Sequence, residues 1–221
     1  MSEGLQAVVF DLDGLMFNTE DLYRAVGTEV LRRRGKPLDD DLLDAMMGRR
    51  PAQALSIMIE WHGLDATVEE LAAESEEIFV PILDNQLAPM PGLVELLATL
   101  EAAAMPKAVA TSSGRQFVEN VMGRFDMVPR FEFLLTAEDV HEGKPHPEIY
   151  QTAAARFDLE PAQIMVLEDS ENGCKAAVAA GTFAVAVPAS RSLVHDFSGA
   201  SLVAESLADA RIYEALGLAR G

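Results

Sequence analysis

Ala7-Val8-Val9-Phe10-Asp11-Leu12-Asp13-Gly14 sets four apolar residues directly against a turn that carries two carboxylates. The apolar run is continuous instead of alternating, which suits a strand covered by helices on both faces of a parallel sheet. Gly14 then punctuates the chain. In open α/β sheets ligands sit beyond the carboxyl ends of the strands, so Asp11 and Asp13 stand where both can face one cleft. Taken alone, the pair reads equally well as a polar strand end closing in a glycine turn.

Working outward, four more runs of the same kind follow: Lys107-Ala108-Val109-Ala110, Glu132-Phe133-Leu134-Leu135, Ile164-Met165-Val166-Leu167 and Phe183-Ala184-Val185-Ala186-Val187. From residue 107 onward their spacing fits repeated βα units. The stretch 17–88 breaks that rhythm. It shows helical patterns near 19–34, 39–47, 51–61 and 67–85, punctuated by Pro37, Gly48-Arg49-Arg50-Pro51 and Gly63. Leu87-Ala88-Pro89-Met90-Pro91-Gly92 reads as a linker back into the sheet. The predicted fold class is therefore α/β: a doubly wound parallel sheet formed by 1–16 and 89–221, with a helical domain, 17–88, inserted after the first strand. No internal repeat or low-complexity tract interrupts it.

Seventeen basic residues against 36 acidic ones give a formal charge of −19. Such a surface offers neither the basic patches nor the counterion release that nucleic acid or an anionic membrane requires. No stretch approaches the roughly 20 apolar residues needed to cross a bilayer, and the N-terminal segment reads as a strand and not a signal peptide. One cysteine, Cys174, leaves no intrachain disulfide, so a cytoplasmic setting is expected. No protein partner is evident. The four histidines share no spacing that suits zinc.

Three further polar signals sit at strand ends. Thr111-Ser112-Ser113-Gly114 opens a helix, where hydroxyls and backbone N–H groups hold phosphate oxygens or simply cap the helix. Lys144 lies in the turn Gly143-Lys144-Pro145-His146-Pro147, and Glu168-Asp169 closes the run ending at Leu167. Each has an ordinary structural reading, as a cap, a surface lysine and a helix start. Four together form one site. A phosphate monoester carries roughly −1.5 to −2 charge, and each like-charge contact with Asp11, Asp13, Glu168 or Asp169 costs about 4 kcal/mol at an effective dielectric of 20. A divalent cation with oxygen ligands, Mg²⁺ above all, resolves that repulsion, and Lys144 adds a second positive charge.

FDLDG, ATSSG, GKPHPEIY and VLEDSENG resemble, in order, the four motifs of the haloacid dehalogenase superfamily, and the helical insertion is similar to that family's α-helical cap. The resemblance covers nearly the whole chain. It implies a phosphatase of small phosphorylated metabolites in which Asp11 attacks phosphorus to form an aspartyl-phosphate. Asp13 would serve as acid and then base. Thr111, helped by Ser112 and Ser113, would bind the transferring phosphoryl group, and Lys144 would bridge it to Asp11. Mg²⁺ would be held by Asp11, the Asp13 carbonyl and Asp169, with Glu168 beside them.

Asp13 argues against the dehalogenases themselves, which lack an acid at that place. Lys36, the only lysine between 15 and 106, leaves little room for the phosphonate-cleaving branch and its cap lysine. The subgroup it resembles holds β-phosphoglucomutase and the sugar-phosphate phosphatases. Tyr23 stands where the mutase has a hinge histidine, which favours hydrolysis over isomerisation, and Asn18 stands where members often carry Asp. Arg49 and Arg50, in a turn of the insertion, are candidate contacts for the leaving group or else solvated. Two alternatives stand: a phosphoryl-transfer isomerase of the mutase kind, and, from another class, a non-catalytic phospho-ligand binder or phospho-Asp switch. A receiver-type switch would carry its acidic pair on the first strand and its acceptor Asp later, the reverse of the order here.

Overall fold

The computed structural model describes residues 4–46 and 51–219, apart from the side chains of Ser190 and Arg191. Arg49 and Arg50 lie outside the described residues. The chain divides into two compact units, Met1–Phe17 with Pro89–Gly221, and Asn18–Ala88.

The first unit is an α/β layer structure. Its elements are β1 (Ala7–Phe10), α5 (Leu93–Ala102), β2 (Lys107–Ala110), α6 (Arg115–Gly123), β3 (Leu134–Leu135), α7 (Glu148–Phe157), β4 (Ile164–Glu168), α8 (Glu171–Ala180), β5 (Phe183–Ala186), β6 (Leu202–Val203) and α9 (Ala210–Ala215). Among the described residues the six strands form one sheet in the order β3-β2-β1-β4-β5-β6. Every neighbouring pair is parallel, and the register sets Phe10 beside both Val109 and Leu167. The strand order reverses between β1 and β4, which makes the carboxyl ends of these two strands the crevice where a doubly wound sheet takes its ligand.

Continuous apolar runs are explained by burial on both faces. Ala7, Val9, Ala110, Ile164 and Val166 pack with Ile149, Tyr150 and Ala153 of α7 and with Cys174, Ala176 and Ala177 of α8. The alternate residues Val8, Phe10, Val109, Met165 and Leu167 are also fully buried, as successive side chains of a strand point to opposite faces.

Two details of the sheet differ from the sequence reading. The third strand, Leu134–Leu135, is shorter than the run 132–135, although Glu132 N–H still donates to the Lys107 carbonyl at 2.9 Å and the Phe133 carbonyl accepts from Val109 N–H at 3.2 Å. Leu202–Val203 adds an edge strand too short to announce itself.

The second unit is helical, with α1 (Thr19–Arg32), α2 (Asp40–Met46), α3 (Pro51–His62) and α4 (Val68–Gln86). Its core gathers Val26, Val30 and Leu31 of α1 with Leu42, Met58, Leu71 and Ile78. Thr67 and Glu70 cap α4 reciprocally: Glu70 N–H donates to Thr67 Oγ1 at 3.2 Å, and Thr67 N–H to Glu70 Oε2 at 2.8 Å. Where the two ends of the unit meet, Asn18 joins them. Its Oδ1 accepts from Ala88 N–H at 2.8 Å, and its Nδ2 donates to the Gln86 carbonyl at 3.0 Å. No helix among the described residues is long and apolar enough to cross a membrane.

Candidate active site

The site begins where β1 stops. Asp11 is nearly buried, and its N–H extends the ladder to the Leu167 carbonyl at 3.0 Å. The chain then turns at Gly14, whose φ of 77° is left-handed and favours glycine. Gly14 N–H closes that turn on the Phe17 carbonyl at 2.9 Å. Leu12, Leu15 and Met16 go into the core, which anchors the loop holding Asp11 and Asp13.

From β2, Thr111 and Ser113 reach across to Asp13. Both hydroxyls donate to Asp13 Oδ2, Thr111 at 3.2 Å and Ser113 at 2.6 Å, while Ser113 N–H donates to Thr111 Oγ1 at 3.1 Å. Ser112, between them, is exposed. As the sequence suggests, Thr111-Ser112-Ser113-Gly114 leads from the strand end into a helix, with Gly114 at the N-cap of α6. The helix starts at Arg115, whose N–H donates to both Glu138 carboxylate oxygens at 3.2 and 3.1 Å. A protein carboxylate thus takes that helix terminus, and the groups left to cradle phosphate belong to the loop.

Lys144 is buried, not a surface lysine; its side chain keeps 6% of its exposure. The Nζ donates to Asp11 Oδ1 at 2.5 Å, to the Ala110 carbonyl at 3.0 Å and to Glu168 Oε1 at 2.6 Å. An ammonium has three donors, and all three are committed. Burial pulls the Lys144 pKa down, but Asp11 and Glu168 outweigh it and hold the ammonium charged, well above the ordinary lysine value.

Glu168 ends β4, and Ser170 caps α8 with its hydroxyl, accepting from Gly173 N–H at 3.1 Å. The same hydroxyl donates to Glu168 Oε2 at 3.1 Å, and Tyr150 donates to Glu168 Oε1. Gly173 makes room for this carboxylate: a Cβ there would stand 1.9 to 2.1 Å from its atoms.

Tyr150, Ser170 and Gly173 are site residues that the sequence reading did not assign. All three lie inside the quoted stretches GKPHPEIY and VLEDSENG, where Ser170 reads as a helix cap, and Gly173 left a trace of its own. Glycine inside a helix costs about 1 kcal/mol against alanine, so its place in α8 needed a reason.

Asp11, Glu168 and Asp169, all buried, each place a carboxylate oxygen within 4.8 Å of the others. Burial pushes the Asp11 carboxyl well above the ordinary carboxylate range; Lys144 opposes that, and Glu168 and Asp13 add to it. One lysine does not balance these acids, and the donors are all oxygen. The set fits a hard divalent cation, whose charge would hold Asp11 ionised.

A family model described as haloacid dehalogenase-like hydrolase matches residues 8–187. The chain belongs to that family. Among its relatives, the validoxylamine A 7′-phosphate phosphatase of Streptomyces hygroscopicus subsp. limoneus is 32% identical, over 94% of this chain and 92% of that protein. The probable pseudouridine-5′-phosphatase of Drosophila melanogaster is 34% identical over 91% and 89%. Among solved structures, a putative β-phosphoglucomutase from Thermotoga maritima superposes with a TM-score of 0.79 at 28% identity, covering 96% of this chain and 97% of that one. The fold is that of the haloacid dehalogenase-like proteins, as the four motifs led one to expect.

Proposed function

We propose that this chain is a Mg²⁺-dependent phosphatase of small phosphorylated metabolites, with sugar phosphates foremost, working through an aspartyl-phosphate (an acyl phosphate) on Asp11. The observation that carries the reading is the fixed Asp11 carboxylate. Lys144 holds Oδ1 at 2.5 Å, which leaves Oδ2 to attack. The phosphatase names of the two relatives support the same class of reaction.

In the first step an Asp11 oxygen bonds to phosphorus as the bond to the leaving oxygen breaks, and Asp13 gives that oxygen its proton. In the second step Asp13 takes a proton from a water molecule that attacks phosphorus, releasing phosphate and restoring Asp11. Thr111 and Ser113, which donate to Asp13 Oδ2 in the free site, turn their hydroxyls to the transferring phosphoryl oxygens, with Ser112 at the edge. Lys144 keeps Asp11 in line. Asp11, the Asp13 carbonyl and Asp169, with Glu168 beside them, are the groups that would hold Mg²⁺, which supplies neutralisation of phosphoryl charge. The helical unit is proposed as a cap over this chemistry, and the cytoplasm as the compartment.

Hydrolysis of p-nitrophenyl phosphate tests the reading. It should require Mg²⁺ or a similar cation and vanish in Asp11→Asn with the fold intact. Equal rates in excess EDTA, or substantial turnover by Asp11→Asn, would defeat it. A mutase is the second reading, favoured by the Thermotoga maritima structure's description. Against it, residue 23 is a tyrosine stacked on Phe79 at 5.2 Å, so no imidazole stands there. Glucose 1-phosphate with a bisphosphate primer separates the two: free phosphate supports the hydrolase, glucose 6-phosphate the mutase.

A further inference from the structure

Tyr150 lies on α7 with its side chain wholly buried. Its hydroxyl donates to Glu168 Oε1, the oxygen that also accepts from Lys144 Nζ at 2.6 Å. Its ring centroid lies 5.1 Å from the same Nζ. One side chain therefore touches both members of the pair that stands behind Asp11.

Packing alone does not call for this hydroxyl. Phenylalanine would fill nearly the same space and bring no polar atom to satisfy. What the phenol adds is a hydrogen bond to Glu168, and what the ring adds is a face that favours a desolvated ammonium. Ser170 fixes the other oxygen, Oε2, at 3.1 Å. With Oε1 held by Tyr150, the Glu168 carboxylate has one orientation, and Lys144 is held in turn.

We propose that Tyr150 is a positioning residue for phosphoryl transfer: through Glu168 and through its ring face it fixes the Lys144 ammonium that aims Asp11 at phosphorus. This rests on the phosphatase reading above. A group that acts through aim affects the transition state more than the bound ester, because small misplacements of a reacting atom weigh on the chemical step.

The test is Tyr150→Phe, which removes one oxygen and keeps the ring. With p-nitrophenyl phosphate and Mg²⁺, kcat should fall about tenfold while KM stays within about twofold. Calorimetry gives a readout without turnover: orthovanadate, which adopts the five-coordinate geometry, should bind about tenfold more weakly, and inorganic phosphate unchanged. Tyr150→Leu, without the ring, should lose more of kcat than Tyr150→Phe. Wild-type kcat and wild-type vanadate affinity in folded Tyr150→Phe would overturn the proposal. Equal losses for vanadate and phosphate, or failure of Tyr150→Phe to fold, would also overturn it by making the residue a structural one. Failure of the phosphatase reading is separately visible, as absence of turnover by the unaltered chain.

Discussion

The Ser113 hydroxyl lies 2.6 Å from Asp13 Oδ2, bridging residues 100 positions apart in sequence. The bond presets the carboxylate proposed to move the proton, before any ester arrives. Thr111 backs it at 3.2 Å. Ser113→Ala should therefore lower kcat on p-nitrophenyl phosphate about three- to tenfold, the scale of one lost hydrogen bond. Asp13→Asn, which removes the acid itself, should lower it about 10²- to 10⁴-fold. Steady-state kinetics on both variants check the order. A Ser113→Ala loss as large as that of Asp13→Asn would mean that the serine does more than preset its neighbour.

Gly173 is where the backbone of α8 approaches Glu168. Gly173→Ala sets a methyl 1.9 to 2.1 Å from the carboxylate atoms, so either the helix start or Glu168 must shift. Overpacking of this kind costs about 1–3 kcal/mol, and a displaced Glu168 should lower kcat/KM about 100-fold. Gly123→Ala, where nothing lies within 4 Å, is the control and should leave both quantities unchanged. Urea melts and kinetics on the pair give the comparison.

Asn18→Asp should unfasten the two ends of the helical unit. The amide donates to Gln86 O at 3.0 Å and accepts from Ala88 N–H at 2.8 Å. A carboxylate keeps the second bond but sets an oxygen against the Gln86 carbonyl. The expected cost is about 1–3 kcal/mol at pH 7. A protonated carboxyl can donate again, so the variant's folded-state pKa is raised. The sign follows: its deficit against the native chain should shrink as pH falls toward 4 and grow above it. Denaturant melts at the two pH values check this.

Those three positions show how differently the sequence exposes its parts. Strands such as Ala7–Phe10 and Ile164–Glu168 were legible because burial on both faces leaves unbroken apolar runs. Since ligands of this architecture gather at strand ends, the runs also pointed to Asp11, Asp13, Thr111, Lys144, Glu168 and Asp169 without any structure. Tyr150 was not legible. It reads as one more apolar position of an amphipathic helix, and only the packing of α7 against the sheet and α8 brings its hydroxyl to Glu168. The edge strand Leu202–Val203 was missed for the opposite reason, since Val203 is half exposed and the pair is too short for a pattern.

Cys174 gives a prediction with a pH sign. Its thiol is buried, and burial, then the Glu168 charge, pushes it up to about 11. The folded chain holds that proton more tightly than the unfolded chain, whose thiols titrate near 8.5. The contribution to stability is thus complete below about pH 8.5 and is lost as pH rises toward 11, amounting to about 3 kcal/mol at most. Cys174→Ala should show a smaller loss of unfolding free energy between pH 8 and 10.5 than the native chain. Iodoacetamide at pH 8 should leave the folded protein unmodified and label it once urea is added.

The sheet order has a consequence for the making of the protein. β1 is written first but stands in the middle, with partners that leave the ribosome much later: Lys144 meets Asp11 across 133 residues. Contacts of such sequence separation form slowly, because a long loop must close before they return anything. A nascent chain that has emitted the helical unit still shows an unpaired central strand and an unneutralised aspartate. Asp11 can meet Lys144 and Glu168 only after the chain through residue 168 has been made. Until then β1 presents apolar surface and unpaired strand edges, the features that make an incomplete chain prone to aggregate.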